Sequence, residues 1–198
     1  QECAEICRRR PDVAWHNAYA LDQLSGELAL AQRDFSKAVL SFESSLTHAA
    51  TNNLPPFLRA PIHLDFARAL LQNGDPPLAR HQAQLGLSMV TQTQGLAEHL
   101  QVPYREALAE IALAEKRYGD ALSELEQAYL VFDPVEVLDN RLASLHFLEA
   151  KIWRALEPTS AGRKFARSLA MQARREYEDW DGGAWPHLQA VNAWLREK

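Results

Sequence analysis

Four segments of this chain can be laid over one another without a gap, and that regularity constrains the fold more than any other feature. GELALAQRDFSKAVLSFESSL from Gly26, ARALLQNGDPPLARHQAQLGL from Ala67, AEIALAEKRYGDALSELEQAY from Ala109 and, with a poorer match, AKIWRALEPTSAGRKFARSLA from Ala150 share one frame. Small residues fill one column at Gly26, Ala67, Ala109 and Ala150 and a second at Ala38, Ala79, Ala121 and Gly162, at spacings of 41, 42 and 41 residues. A period of this length is the mark of a stacked repeat, each unit of which buries its apolar face on its neighbour.

The columns have a physical reading. Two antiparallel helices joined by a tight turn approach closely only where the facing side chains are small. Between the columns lie the turns QRD, NGDPP, EKRYGD and LEPTSAG, which carry helix-stopping Gly or Pro and capping Asp, Thr or Ser in three of the four copies. Beyond each turn apolar residues follow helical spacing, as in Val39, Phe42 and Leu46 or Leu122, Leu125 and Tyr129. The pattern predicts helices over 12–32, 35–50, 56–73, 77–93, 96–116, 119–132, 135–156, 159–179 and 184–197. It also predicts that Ala38, Ala79 and Ala121 are almost fully buried. A helical bundle without a true repeat is the competing arrangement.

Composition agrees with an all-α chain. The sequence has 198 residues, 47% of them hydrophobic, and lacks any alternating Val/Ile/Thr-rich run of the kind that makes a half-buried strand. Its net charge of −5 is spread as mixed acids and bases, so no basic stripe is available to neutralise phosphates, and nucleic acid is not an expected partner. No apolar run approaches the roughly 18 residues that span a bilayer, and QECAEICRRR does not read as a signal peptide, so no membrane partner is expected either. Cys3 and Cys7 are the only cysteines, which makes a reducing, cytoplasmic setting the expectation. They stand one helical turn apart but supply only half of a metal site.

Gly26, Ala29, Asp34, Phe35, Ser36, Lys37, Ala38 and Phe42 in the first copy resemble the tetratricopeptide repeat. The likeness runs over roughly residues 12–180, is strongest in copies one and three, and departs from the family where Pro76 and Thr159 replace the aromatic that opens the second helix. No copy carries the family's Trp. The period exceeds the usual 34 residues and is similar to that of the longer-helix arrays of kinesin light chains and of bacterial kinases, regulators and effectors. The resemblance implies a right-handed superhelical array of about four antiparallel helix pairs over 11–181, preceded at 1–10 by the tail of an earlier repeat helix and closed over 182–198 by a capping helix. In that helix Trp185, Leu188, Val191, Trp194 and Leu195 fall at helical spacing. The register also implies that residue 1 is a cut or processed end. Residues 1–10 would then be frayed or lie over Trp15 and Tyr19.

No catalytic constellation is present: no GxSxG, no phosphate-cradling Gly-rich loop, no HExxH and no His-x-Glu with a downstream Cys pair. The seven His (16, 48, 63, 81, 99, 146 and 187) include no pair at i, i+4 spacing. The expectation is therefore a non-enzyme with no cofactor and no metal. Trp15, Tyr19, Trp153, Trp180 and Trp194 read as packing residues.

Two functions remain. The first is a scaffold that binds a protein or peptide segment, or another part of its parent protein, on the inner curve formed by the first helices. The second is a sensor that takes a small ligand or signalling peptide in a closed pocket and controls an attached effector domain. In the repeat frame the inner curve carries Gln23 and Glu27, then Leu64, Arg68 and Gln72, then Glu106 and Glu110, then Phe147, Lys151 and Arg154. One column of these alternates in sign through Glu27, Arg68, Glu110 and Lys151. Such a column can pair with itself along the array or present donors and acceptors to a partner, with Phe147 as an apolar anchor and Arg154 free to take a carboxylate. Gln23 and Glu27 stand where related arrays place the Lys and Asn that clamp acidic chaperone tails, so that ligand is not expected.

Overall fold

A computed structural model describes residues 11–133, 140–180 and 185–197. Among them every regular element is helical and no strand occurs. In chain order these are α1 (Pro11–Ala31), α2 (Phe35–Thr51), α3 (Pro56–Gln72), α4 (Pro76–Gln92), a 3-10 turn (Glu98–Gln101), α5 (Val102–Ala114), α6 (Tyr118–Leu130), α7 (Arg141–Leu156), α8 (Ser160–Asp179) and α9 (Trp185–Arg196). Cys3, Cys7 and the rest of 1–10 lie outside the described residues, as does the expected start of the seventh helix before residue 140.

Helices pack with their neighbours in sequence. α1 packs on α2, α3 on α4 and α7 on α8; α2 meets α3, α6 meets α7 and α9 lies against α8. The chain forms two compact units, Gln1–Ala107 and Leu108–Lys198, with the boundary inside α5.

Both small-residue columns are buried. Ala67, Ala109 and Ala150 in the first, and Ala38, Ala79 and Ala121 in the second, are each 0% exposed. Gly26 and Gly162 are buried with them. At Gly26 the reason is a close approach: a Cβ there would sit 2.7 Å from the Phe42 ring, which fills the space between α1 and α2. A hydroxyl ties the same pair of helices together, with Ser45 Oγ donating to the Tyr19 carbonyl at 2.8 Å.

The turns repeat as faithfully as the columns. α1 ends with Asp34 N–H donating to the Ala29 carbonyl and Arg33 N–H to that of Leu30. The same two bonds recur as Asp75 to Leu70 with Gly74 to Leu71, and as Arg117 to Ala112 with Lys116 to Leu113. This is the Schellman closure, which requires a left-handed residue just past the helix. Arg33 (φ 62), Gly74 (φ 89) and Lys116 (φ 61) occupy that position. The next residue then opens the following helix: the Asp34 carboxylate accepts from Lys37 N–H at 3.2 Å and that of Asp75 from Leu78 N–H at 3.1 Å. One Asp thus closes a helix through its N–H and caps the next through its side chain. Arg117 makes no such cap and instead reaches Glu115 and Asp120. In the fourth copy Pro158 ends the pattern, and Thr159 caps α8 by accepting from Gly162 N–H at 3.1 Å.

The largest departure from the expected boundaries is at α5, which was expected from residue 96 and begins at Val102. Pro103 explains it. A helix running from 96 would carry this residue in its interior, where the missing N–H and the ring clash cost about 3 kcal/mol. Starting at Val102 places it in the first turn, where no donor is needed. The preceding residues form the 3-10 turn, and Gly95 takes a positive φ of 81°.

The first unit has a core cluster of Ala60, Leu64, Val90, Tyr104 and Ala107, with Leu87, Met89 and Leu96 against it. In the second unit Ala143, Ala150, Ala170, Tyr177 and Val191 are joined by Phe147, Leu169, Trp180, Leu188, Trp194 and Leu195. Four of the five apolar residues expected on the terminal helix thus enter the core, and the side chain of Trp185 lies outside the described ones.

Two substitutions test these features. Ala121→Leu should destabilise by about 1–3 kcal/mol through overpacking, measured by urea denaturation, and an unchanged midpoint would show that the crossing is not tight. Lys116→Gly should stabilise by roughly 0.5–1 kcal/mol, because glycine adopts the left-handed position without steric cost; a loss of stability would contradict this account of the turn.

Candidate functional site

Three first helices of the first unit bring polar side chains to one row. On α1, Gln23 Nε2 donates to Glu27 Oε1 at 3.2 Å, four residues on and one turn away. On α3, Arg68 Nη1 lies 3.7 Å from Asp65 Oδ1. The Gln23 amide and the charge of Glu27 both act on the Asp65 carboxyl, so α1 and α3 are electrostatically joined. Tyr104 of α5 feels both Asp65 and Arg68. α1 and α3, which are not consecutive, pack directly, as the first helices of adjacent hairpins do in a stack.

Asp65 is the centre of this row, and sequence reasoning missed it. Its side chain is 21% exposed, that of Arg68 39%. Burial raises the Asp65 carboxyl above its ordinary value; Arg68 and the Gln23 amide draw it down, and Glu27 pushes it up. Burial, helped by Asp65, likewise raises the Tyr104 hydroxyl, which stays protonated and able to donate. The signal in the sequence was weak: Asp65 precedes the expected Arg68 by less than a turn, in a helix otherwise rich in apolar residues.

The remaining expected residues are dispersed. Leu64 is buried in the core of the first unit. Gln72 is exposed at the end of α3. Glu106 is only 6% exposed, and Glu110 is half-buried; both are already engaged by neighbours. In the second unit the terminal helix covers the expected contact residues. Phe147 meets the Trp194 ring edge-to-face at a centroid distance of 6.0 Å, and Lys151 Nζ lies 5.0 Å over the Phe147 ring. Arg154 was expected to be free to take a carboxylate, and the structure corrects this: it stacks 4.1 Å over Trp194 and pairs with Glu197 at 2.8 Å. The reason is α9 and the residue that follows it, which supply an aromatic face and an acid where a partner was expected.

The same unit holds a cleft of about 420 Å³ between α6 and α7, lined by Leu122, Leu125, Glu126, Tyr129, Leu130, Glu149 and Trp153. Trp153, expected as a packing residue, lines this cleft and also packs against Phe165. Among the described residues no group of three or more His, Cys, Asp or Glu is placed to hold a metal ion, and no helix is long and apolar enough to cross a membrane.

The class defined by this architecture is an all-helical protein of sequentially packed helix pairs with a buried small-residue repeat. Compared with known proteins, the chain matches no protein-family model and no curated protein sequence.

The shifted carboxyl carries a sign that can be measured. A raised folded-state value means that Asp65 favours folding when protonated, and that this contribution is lost as pH rises from its unfolded value of about 3.9 through the folded one. Asp65→Asn, which removes the buried charge and keeps the shape, should therefore raise the melting temperature at pH 7. Below about pH 3.9 the two proteins should melt alike. A lower melting temperature at pH 7 would show that the Arg68 and Gln23 interactions outweigh burial.

Proposed function

We propose that the chain is a protein-interaction module of tetratricopeptide type. In this reading its helix pairs form a right-handed superhelical array closed by α9, and its inner row receives a segment of a partner protein or of another domain of its parent. The observation that carries the reading is the convergence of Gln23, Glu27, Asp65, Arg68 and Tyr104 from α1, α3 and α5. Glu27 is exposed and Arg68 partly so, which leaves an acid and a base within reach of a bound segment, while Tyr104 stays buried in the core of the first unit. Such a row suits polar main-chain and mixed-charge recognition. The recurrence of the Schellman turn in three copies, at the spacing of the small-residue columns, supports the repeat assignment.

Because α9 engages Phe147 and Arg154, and Lys151 lies over the Phe147 ring, the binding row in this reading is that of the first unit. The test compares the double variant Glu27→Lys with Arg68→Glu against Phe147→Ala, measuring melting temperature and the proteins crosslinked to the chain in its native cells. The double variant removes the cation at Arg68 from beside Asp65 and puts one at position 27, so the melting temperature should fall only modestly while the crosslinked set changes. Phe147→Ala should lower the melting temperature, by less than the loss of about 3–5 kcal/mol in stability that truncating a fully buried Phe would bring, because Phe147 is only partly buried, and leave the set intact. A set unaffected by the charge reversal would remove the inner row as the binding face.

A further inference from the structure

The cleft between α6 and α7 has a chemistry of its own, independent of the inner row. Leu122, Leu125, Glu126, Tyr129 and Leu130 lie along one face of α6, and Glu149 and Trp153 stand one turn apart on α7. Leu125 is 1% exposed and Leu130 71%, so the apolar wall runs from the core out to solvent. Within it, Glu149 Oε2 accepts from the Tyr129 hydroxyl at 3.0 Å and Oε1 from the Trp153 indole N–H at 3.3 Å. Phe165 meets the Trp153 ring in a T-shaped contact at a centroid distance of 5.3 Å.

Both donors to Glu149 are neutral, so its orientation is fixed while its charge is not cancelled. Each oxygen keeps a lone pair for a further donor. Burial and the neighbouring carboxylates of Glu149 and Glu176 raise the Tyr129 hydroxyl above its ordinary value, so it remains a donor and adds no negative charge. Glu126 lines the cleft without a hydrogen-bond or ion-pair partner among the described residues, and no Lys or Arg lines it. An anion would be repelled by two carboxylates. A neutral apolar molecule would desolvate Glu149 with nothing in return. A metal ion would find two carboxylates against leucines, too few oxygens for a hard cation. A cation with an apolar stem satisfies all of these groups: the charge meets Glu149 and Glu126, the Trp153 and Tyr129 rings attract it through their faces, and the stem covers the leucines. The volume is in the range of small-ligand sites.

We infer that this cleft is a binding site for a small organic cation, a primary ammonium or guanidinium group on a short apolar stem.

The test uses the full chain and two matched probes, phenethylammonium and its neutral analogue 2-phenylethanol, titrated by calorimetry and followed at the indole N–H resonance of Trp153. Phenethylammonium should bind at least tenfold more tightly than 2-phenylethanol and shift the Trp153 resonance. Glu149→Gln should weaken it at least tenfold. Glu126→Gln, at an exposed residue, should weaken it several-fold and serves if Glu149→Gln does not fold. Equal binding of the two probes, absence of binding by phenethylammonium, or affinity untouched by the Glu126 and Glu149 substitutions would each overturn the inference. So would binding of the peptide acetyl-Gly-Lys-Gly-amide where phenethylammonium and agmatine do not bind, since the cation would then be a side chain delivered by a protein.

Discussion

Close approach between paired helices is the constraint on which the rest of this structure depends. Where Gly26 faces Phe42 there is no room for a methyl group, and Ala38, Ala79 and Ala121 are fully buried. Small residues at these crossings let the flanking side chains interdigitate across the hairpin and reach core density. They also fix the register of each pair, because sliding a helix by a residue would bring a larger side chain such as Val39, Leu78 or Leu122 to the crossing. The short turns depend on this too: Asp34 and Asp75 can close one helix and open the next only when the two axes start a fixed distance apart.

The consequences reach the candidate sites. Because α1 and α3 pack directly, Gln23 and Glu27 can act on Asp65, and because α5 follows, Tyr104 joins them. A charge that would be unremarkable on an isolated helix becomes a partly buried carboxyl with neighbours on two others. In the second unit, pairing of α6 and α7 leaves a gap where Leu130 stays exposed and Glu149 faces an apolar wall. Each site is a product of helix stacking and exists on no single helix.

α9 changes the chemistry of its neighbours. Without cover, the apolar stripe around Phe147, Ala150 and Leu169 would face water. α9 buries it with Leu188, Val191, Trp194 and Leu195. The same helix brings an aromatic face and Glu197 to Arg154. In the repeat frame Val191 stands 41 residues beyond Ala150, so the cap occupies the register of a further first helix.

The sequence by itself determined the helices, the turns and the crossings, because those depend on local spacing and on residue volume. The columns, the capping Asp residues and the apolar stripes were all legible there. It could also have disclosed the late start of α5, since Pro103 disfavours a helix through that point from residue 96, although α3 does carry Pro61 in its interior. Only the tertiary structure decided which polar residues meet. Asp65 matters through Gln23 and Arg68, Glu149 through Tyr129 and Trp153, and Arg154 is taken by residues 40 and 43 positions away on α9 and just past its end, Trp194 and Glu197. A periodic pattern specifies which face a side chain is on. What stands opposite that face, and how much water remains between, depends on packing of distant segments that the pattern does not encode.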